Sequence, residues 1–204
     1  METSGPFRPR QVELLNRLEA LFFAEGYQAT TMSDLAQRLK CSKRSLYELA
    51  PSRKDLFCLI VARWSNRLRA LGLSGEARAV SYRSQLAAFL EPGVSQTKMM
   101  TEAFLRDIRD LPSAHKILVE HQQDRMFHLK RILDGGVRAG AFMNIHAHLI
   151  AGIFLAAIEK INDPIFLHEA GLGYSEAFEE LYRVLIAGLE NCEPDDAELK
   201  LKSP

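Results

Sequence analysis

YQATTMSDLAQRLKCSKRSLYELAPSRKDLF, residues 27–57, is the stretch that decides the fold, because it shows two short helices, a turn and the start of a third helix. Thr31 is placed to cap the first helix, with Asp34 at the third helical position. Apolar residues then recur at helical spacing, at 32, 35, 36 and 39. After an interruption at 40–42, Ser42 can cap a second helix in which Leu46 faces inward. The pattern predicts a helix-turn-helix.

The second helix of this motif opens with groups that suit contact with base edges in DNA. Lys43 and Arg44 carry long donors and Ser45 a hydroxyl, a set that suits guanine and mixed readout. Pro51 breaks the chain, and a long helix is predicted to start at Arg53, where amide donors and cations can hold a phosphate. The alternative, from the pattern alone, is a generic three-helix bundle with a solvated basic turn.

Charge is distributed unevenly along a chain that is neutral as a whole, with 26 basic and 26 acidic side chains. Residues 1–71 hold 12 Lys and Arg against 7 Asp and Glu, whereas residues 72–204 hold 14 against 19. The neutral total argues against a general polyanion binder. The basic part coincides with the helix-turn-helix, as in a site-specific regulator with a separate regulatory domain.

Composition indicates a globular chain, since 47% of its 204 residues are hydrophobic. No run approaches the ~20 apolar residues needed to cross a bilayer, and METSGPFRPR has no apolar secretory segment, so a cytoplasmic protein without a membrane partner is expected. Cys41, Cys58 and Cys192 are widely spaced and are predicted to be reduced, with no metal or other cofactor. No phosphate-binding glycine loop, GxSxG or HExxH is found, so the chain is not expected to be an enzyme.

The segments LEALFFAEGYQATTMSDLAQRL and CSKRSLYELAPSRKDLF together resemble the DNA-binding domain of TetR-family transcriptional regulators. The resemblance covers roughly residues 8–71. It implies an all-α fold, with an N-terminal three-helix helix-turn-helix domain followed by a helical-bundle domain for ligand binding and dimerisation. By position, it also implies seven DNA-binding residues that contact bases or backbone: Thr31, Ser33, Lys43, Arg44, Ser45, Tyr47 and Arg53.

The chain departs from the family pattern within the motif. Lys40 stands where the family usually has Gly in the turn, and Cys41 stands where Val is common. Residues 48–50 replace the aromatic or His residues that often follow the Tyr in the family. A left-handed Lys40 would cost about 1 kcal/mol relative to Gly, which a phosphate contact can offset. The carboxylate of Glu48 repels the DNA backbone, so it is assigned packing, a salt bridge or cytosine readout.

The remaining sequence is predicted to be helical throughout. A first helix ends at Gly26, and one amphipathic helix over 53–71 links the two halves. Further helices are predicted at 76–90, 95–109, 113–139, 145–161 and 174–190. The domains are therefore placed at 1–52 for DNA binding and 72–192 for effector binding and dimerisation, with a disordered tail at 193–204.

The last two predicted helices carry wide apolar stripes, which predict a homodimer through a two-fold four-helix contact. The resemblance implies the same interface. Its predicted residues are Leu149, Ile153, Phe154, Ile158, Phe178, Leu181, Leu185 and Leu189. The alternative is that both stripes form the core of a monomer.

A cluster of soft and aromatic side chains between the linker and these helices predicts an apolar effector pocket with a few polar orienting groups. Its predicted residues are Phe89, Met100, Phe104, Ile108, His121, Arg125, Phe127, His128 and Phe142. The alternative is ordinary core filling. His121, Asp124 and His128 share one helical face and offer a possible metal site, but exposed helix faces often produce such spacing, so no metal is assigned.

These patterns together predict a homodimeric repressor that a small, largely apolar effector releases from a palindromic operator. The alternative function is an all-helical protein- or membrane-interaction module that does not bind DNA. Salt-sensitive binding to duplex DNA separates the two.

Overall fold

A computed structural model describes residues 7–189, and over that range the chain is entirely helical, as the sequence predicts. The predicted tail at 193–204 and Cys192 lie outside the described residues. The ten helices within the range are α1 Pro9–Glu25, α2 Met32–Arg38, α3 Lys43–Tyr47, α4 Arg53–Arg78, α5 Tyr82–Ser95, α6 Glu102–Asp110, α7 Pro112–Arg138, α8 Ala147–Ile161, α9 Pro164–Ala170 and α10 Tyr174–Gly188.

The helix-turn-helix forms from local hydrogen bonds, as predicted. The Thr31 hydroxyl accepts from the Asp34 amide at 3.2 Å, and the Asp34 carboxylate accepts from the Thr31 amide at 2.9 Å, a reciprocal cap at the start of α2. The Ser42 hydroxyl caps α3 by accepting from the Ser45 amide at 3.1 Å. Leu46 is fully buried, so the predicted inward face of α3 is confirmed.

Lys40, in the turn between α2 and α3, has a φ of 49°, which confirms the left-handed conformation inferred from its position. It is the one non-glycine residue with a positive φ among residues 7–189. Its Cβ makes this conformation unfavourable, and the side chain is exposed. The turn therefore carries a local strain that a glycine would not have.

α4 continues to Arg78, so the predicted end of the linker helix at 71 is wrong. Gly72, the residue after that predicted end, and Gly75 both lie inside the helix. A Cβ on Gly75 would lie 2.9 Å from the Ala88 carbonyl oxygen, and one on Gly72 would lie 3.2 Å from that of Phe89. Both glycines let α4 and α5 approach closely, and neither ends the helix.

Other predicted helix boundaries also differ. α5 runs through Pro92 to Ser95, because the buried end of this helix packs against α10. α6 begins at Glu102 and not at 95. Short α9 was not predicted at all. Pro112 and Pro164 occupy the first helical position of α7 and α9, where a missing amide proton costs no helical hydrogen bond.

The packing forms two connected parts. α4 packs on α5 and α7, α7 on α5 and α8, and α10 on α5 and α8, which makes the C-terminal bundle. α6 lies between α1 and α7, so it contacts both parts of the chain. Of the described helices, none is both long enough and apolar enough to cross a bilayer.

Replacing Lys40 with Gly is expected to raise the free energy of unfolding by roughly 0.5–1 kcal/mol, because Gly adopts a positive φ without the Cβ clash. Lys40→Ala is the matched control, since it removes the same charge and keeps the Cβ. Urea unfolding at neutral pH measures both variants. Equal stability of the two variants would show that the turn is not strained.

Candidate nucleic-acid interface and ligand cavity

The residues predicted to contact DNA lie mainly on the surface of the helix-turn-helix. Lys43 and Arg44 open α3 with exposed side chains, and Tyr47 is 53% exposed, although it is a large aromatic residue. Thr31 and Ser33 are exposed at the start of α2. Ser45 is half-buried, with its hydroxyl 2.9 Å from that of Ser42, and Arg53 is half-buried as well.

Arg44 and Glu48 form an ion pair one helical turn apart. The distance from Arg44 Nε to Glu48 Oε1 is 3.2 Å, and the two side chains are 89% and 53% exposed. Such exposed pairs contribute little to stability. The salt bridge considered for Glu48 is therefore present, and it leaves the tip of Arg44 directed into solvent.

Arg53 makes intramolecular contacts that the sequence did not predict. Its Nη1 donates to the carbonyl oxygens of Gln28, at 3.2 Å, and Thr30. Its guanidinium also lies 5.1 Å from the centre of the Tyr27 ring. Arg53 thus connects the start of α4 to the segment that precedes α2.

A groove of about 520 Å³ lies between the start of α1 and the turn of the helix-turn-helix. Arg8, Arg10 and Arg17 line it from α1 and its N-terminus, and Lys40 lines it from the turn, together with the acidic Glu13 and Glu48. Sequence reasoning missed these arginines, because they lie on or before α1 and precede the Thr31 cap of α2 by 14 to 23 residues. The seven-residue interval between Arg10 and Arg17, two helical turns, was the available signal.

A small cavity of about 40 Å³ lies inside the C-terminal bundle. Of the predicted pocket residues, Phe89, His121 and Arg125 line it. Most of its wall was not assigned to the pocket from the sequence, including the following side chains from five helices: Trp64, Leu68, Leu90, Leu118, Gln122, Met126, Leu129, Phe154, Ile158, Tyr174, Phe178 and Tyr182.

The other predicted pocket residues lie elsewhere. Phe127 is 65% exposed, since residues two apart on a helix lie about 200° apart around its axis and Arg125 faces inward. Phe142 packs its ring over Gly136, and His128 is half-buried outside the cavity wall. Placing these three in the pocket was wrong.

Two further predicted pocket residues belong to the junction with the DNA-binding domain. The Phe104 ring centre lies 4.7 Å from that of Phe23 and 5.4 Å from that of Phe57. Met100 is buried just before α6, also outside the cavity wall. Ile108 lines a separate groove. α6 therefore packs between α1 and α7, touches α4 through Phe104, and contributes no side chain to the cavity wall.

The predicted dimer stripes divide between core and surface. Phe154, Ile158 and Phe178 line the cavity, while Leu185 and Leu189 are buried in the monomer, so these five side chains offer little surface to a partner. A second set lies at or near the surface. Leu149 and Ile153 are 58% and 57% exposed, Leu181 is half-buried, and Val184, which the sequence analysis did not single out, is 67% exposed.

Arg125 is a buried cation in the cavity wall, only 8% exposed. Its Nη2 donates to the Phe89 carbonyl oxygen at 2.9 Å, and its guanidinium lies 4.4 Å from the centre of the Phe89 ring. Nη1 has no hydrogen-bond partner. Among residues 7–189 no carboxylate forms an ion pair with it.

His121, one turn before Arg125 on α7, is 3% exposed, and neither ring nitrogen has a hydrogen-bond partner. Burial and then the positive charge of Arg125 lower the pKa of His121 from 6.5 to about 3, so the imidazole is neutral at pH 7. Asp124 accepts from Arg69 Nε at 2.7 Å. The described residues contain no cluster of three potential metal ligands, and the considered set of His121, Asp124 and His128 does not converge.

A groove of about 390 Å³, here called the vestibule, adjoins the cavity. Leu105 and Ile108 of α6 and Val119 of α7 supply apolar surface, and Arg109 and Asp163 are among its polar residues. Leu118 and Gln122 line both the vestibule and the cavity, so only these two side chains are shared by the two spaces. These two side chains therefore stand between the vestibule and the cavity.

α6 also holds the end of α1 by a buried polar contact. The Asp107 carboxylate accepts from the amides of Tyr27 and Gln28 and from Gln28 Nε2, the last at 2.6 Å. Thr101 donates its amide and hydroxyl to the Phe23 carbonyl oxygen at 3.0 and 2.9 Å. We call this contact the α6 clamp. No local sequence pattern predicts it, because its partners lie about 80 residues apart along the chain.

Protonation of His121 is expected to destabilise the fold as pH falls from 6.5 toward 3. In that interval the unfolded chain binds a proton that the folded chain excludes, so the stability is fully present above pH 6.5 and declines below it. Relative to His121→Met, the wild-type protein should lose about 1.4 kcal/mol per pH unit well below 6.5. Urea unfolding between pH 7.5 and 5 measures this. Exposed His115→Met is the control, and parallel curves for wild type and His121→Met would contradict the effect.

Comparison with known proteins agrees with this architecture. The family model for bacterial regulatory proteins of the tetR family matches residues 14–58. No curated protein matches the chain significantly. Among solved structures, a TetR family transcriptional regulator from Agrobacterium tumefaciens is 19% identical, with 89% of this chain and 98% of that chain covered and a TM-score of 0.69.

Two further structures share the fold. A TetR family regulator, PfmR, from Thermus thermophilus is 22% identical, covering 87% of this chain and 99% of that chain, with a TM-score of 0.64. A putative transcriptional regulator from Saccharomonospora viridis, in complex with choline, is 14% identical, covering 90% and 98%, with a TM-score of 0.73. Residues 14–58 therefore match the tetR family of bacterial regulatory proteins, and the overall fold is the one found in these solved structures.

Proposed function

We propose that the protein is a homodimeric transcriptional repressor that leaves a palindromic DNA operator when a small, largely apolar effector enters the cavity. One observation carries this proposal: α4 begins beside the helix-turn-helix at Arg53 and lines the cavity with Trp64 and Leu68. A ligand that widens the cavity therefore pushes on the helix that supports the DNA-binding domain.

The recognition surface is α3. Lys43 and Arg44 enter the major groove with exposed side chains, and Arg44 reads guanine as a bidentate donor. Thr31, Ser33, Ser45, Tyr47 and Arg53 complete the set of proposed DNA-binding residues. Lys40 and the arginines of the α1 groove add phosphate contacts, which fix the orientation of the domain without reading sequence.

The dimer forms through the outer faces of α8 and α10, which pack side by side. Leu149, Ile153 and Val184 are each more than half exposed, and Leu181 extends the patch. Gly152, between them on α8, has open space where a Cβ would lie, so a partner helix can approach closely. A contiguous exposed apolar face of this kind favours a two-fold contact.

Effector entry requires the cavity to widen. Its volume of about 40 Å³ is far below the roughly 300 Å³ of small-molecule sites. Displacement of α4 and of the vestibule wall on α6 would move both connections to the DNA-binding domain, since α6 holds α1 through Asp107. The separation of two recognition helices then no longer matches successive major grooves about 34 Å apart.

Selection of bound duplexes from a random pool by the purified full-length protein tests the proposal. An inverted repeat with half-sites about one helical turn apart is expected. Absence of binding at low ionic strength would overturn the DNA-binding role. A single half-site without symmetry would overturn the dimeric operator.

Arg44→Ala is expected to weaken binding to the selected operator by about 1–3 kcal/mol and to relax selection at one base pair, with little change on random DNA. Lys116→Ala is the control, because it removes another exposed cation that belongs to a pair one turn apart, far along the chain on α7. Fluorescence anisotropy with both duplexes measures the difference. Equal losses on operator and random DNA would reject base reading by Arg44.

Ile153→Asp and Val184→Asp are each expected to convert the dimer to monomer, because a carboxylate would be buried in an apolar interface without a partner. Met99→Asp is the control, since Met99 is 76% exposed but lies outside α8 and α10. Light scattering after size exclusion reports the mass. A dimeric mass for both interface variants would exclude this face.

A further inference from the structure

Three buried hydrogen-bond donors without partners line the same cavity. They are the indole Nε1 of Trp64, the imidazole of His121 and Nη1 of Arg125. All three residues are at least 92% buried, and the Trp64 and His121 ring centres are 6.0 Å apart. Because buried donors in folded proteins are nearly always satisfied, their convergence on one space indicates an acceptor-rich ligand group.

The charge at this position is positive and uncompensated. The nearest acidic residue in sequence, Asp124, is bound to Arg69, and the buried carboxylate of Glu76 on α4 is bound to Arg131. His121 is neutral, as described above. Burial raises the pKa of Tyr182 and the adjacent Arg125 opposes that rise, so a neutral phenol lies beside the guanidinium but supplies no negative charge. An isolated buried cation is unfavourable, so a bound anion would stabilise this site.

The rest of the wall is apolar. Leu68, Phe89, Leu129 and Phe154 line the same cavity as the donors, and Leu118 and Gln122 line both this cavity and the vestibule. The vestibule adds Leu105, Ile108 and Val119. A ligand with its charged group at the donors therefore has hydrophobic surface for the rest of its length.

We propose that the effector is a hydrophobic monocarboxylate, with its carboxylate held by Arg125 together with His121 and Trp64 and its apolar body directed past Leu118 and Gln122 into the vestibule. This rests on the proposed function for the existence of an effector, and it adds the chemical class and the orientation. The body of such a ligand contacts α6 next to Asp107, so one molecule reaches both α4 and the α6 clamp. A guanidinium suits this role because its planar donors pair with both oxygens of a carboxylate.

Binding of matched acids and alcohols to the full-length protein tests the proposal. The probes are octanoate with 1-octanol and 3-phenylpropanoate with 3-phenylpropan-1-ol, and the signal is the fluorescence of Trp64, which is the one tryptophan of the chain. At least one acid is expected to bind tenfold or more tightly than its alcohol. In Arg125→Met that preference should fall below twofold, and in Arg125→Lys part of it should remain.

Lys116→Met is the matched control, because it removes one exposed positive charge from the same helix. It should keep the wild-type preference. The proposal is overturned if both acids and alcohols bind the wild-type protein equally, if neither acid binds, or if Arg125→Met keeps the preference. Should Arg125→Met fail to fold, the wild-type ratio and Arg125→Lys decide the matter.

Operator binding without probe and with saturating acid, measured in parallel, separates this inference from the proposed function. Acid binding with release of operator supports both. Acid binding without release supports the carboxylate site and contradicts the release step. Normal operator binding with no discrimination between acid and alcohol contradicts the carboxylate site and leaves the DNA-binding role in place.

Discussion

The continuity of α4 is the constraint on which the rest of the structure depends. Its 26 residues run without interruption from the Ser52 cap, beside the helix-turn-helix, to Arg78. The same helix forms part of the DNA-binding core through Phe57 and part of the cavity wall through Trp64. Since an α-helix transmits displacement along its axis with little bending, the packing around Trp64 and the position of α3 are mechanically linked.

The α6 clamp gives the two parts a second connection of a different kind. Asp107 holds the backbone after α1 through buried hydrogen bonds to a carboxylate, and such charged bonds are stronger than neutral ones. Phe104 adds aromatic packing at the same junction. With α4 alone, the DNA-binding domain could pivot. With both connections, its orientation depends on the positions of two helices that border the cavity and the vestibule.

The cavity combines an apolar wall with an uncompensated buried cation, and a ligand that carries a negative charge would stabilise this combination. Apolar lining alone would be stable without one. Arg125 changes the balance, because it has no carboxylate partner among the described residues: Asp124, which precedes it on α7, and the buried Glu76 of α4 are bound to other arginines. The Phe89 carbonyl and ring offset part of the cost of burying the guanidinium.

The sequence alone determined the helix-turn-helix: the Thr31 and Ser42 caps and the inward Leu46 follow from hydrogen bonds and apolar spacing within about four residues, so local pattern suffices. The left-handed Lys40 was expected from the family resemblance, since it occupies the position of the usual Gly. It also determined the all-helical class. Only the tertiary structure decided which apolar side chains line the cavity and which lie on the surface. Leu149 and Phe154 belong to one stripe by sequence, yet one is exposed and the other lines the cavity. Likewise, the sequence around Gly72 does not show whether this glycine ends a helix or lets two helices approach, because its contact with Phe89 is distant along the chain. The sequence around Arg125 does not show that this arginine is buried, because its burial depends on Phe89 and on the absence of a facing carboxylate.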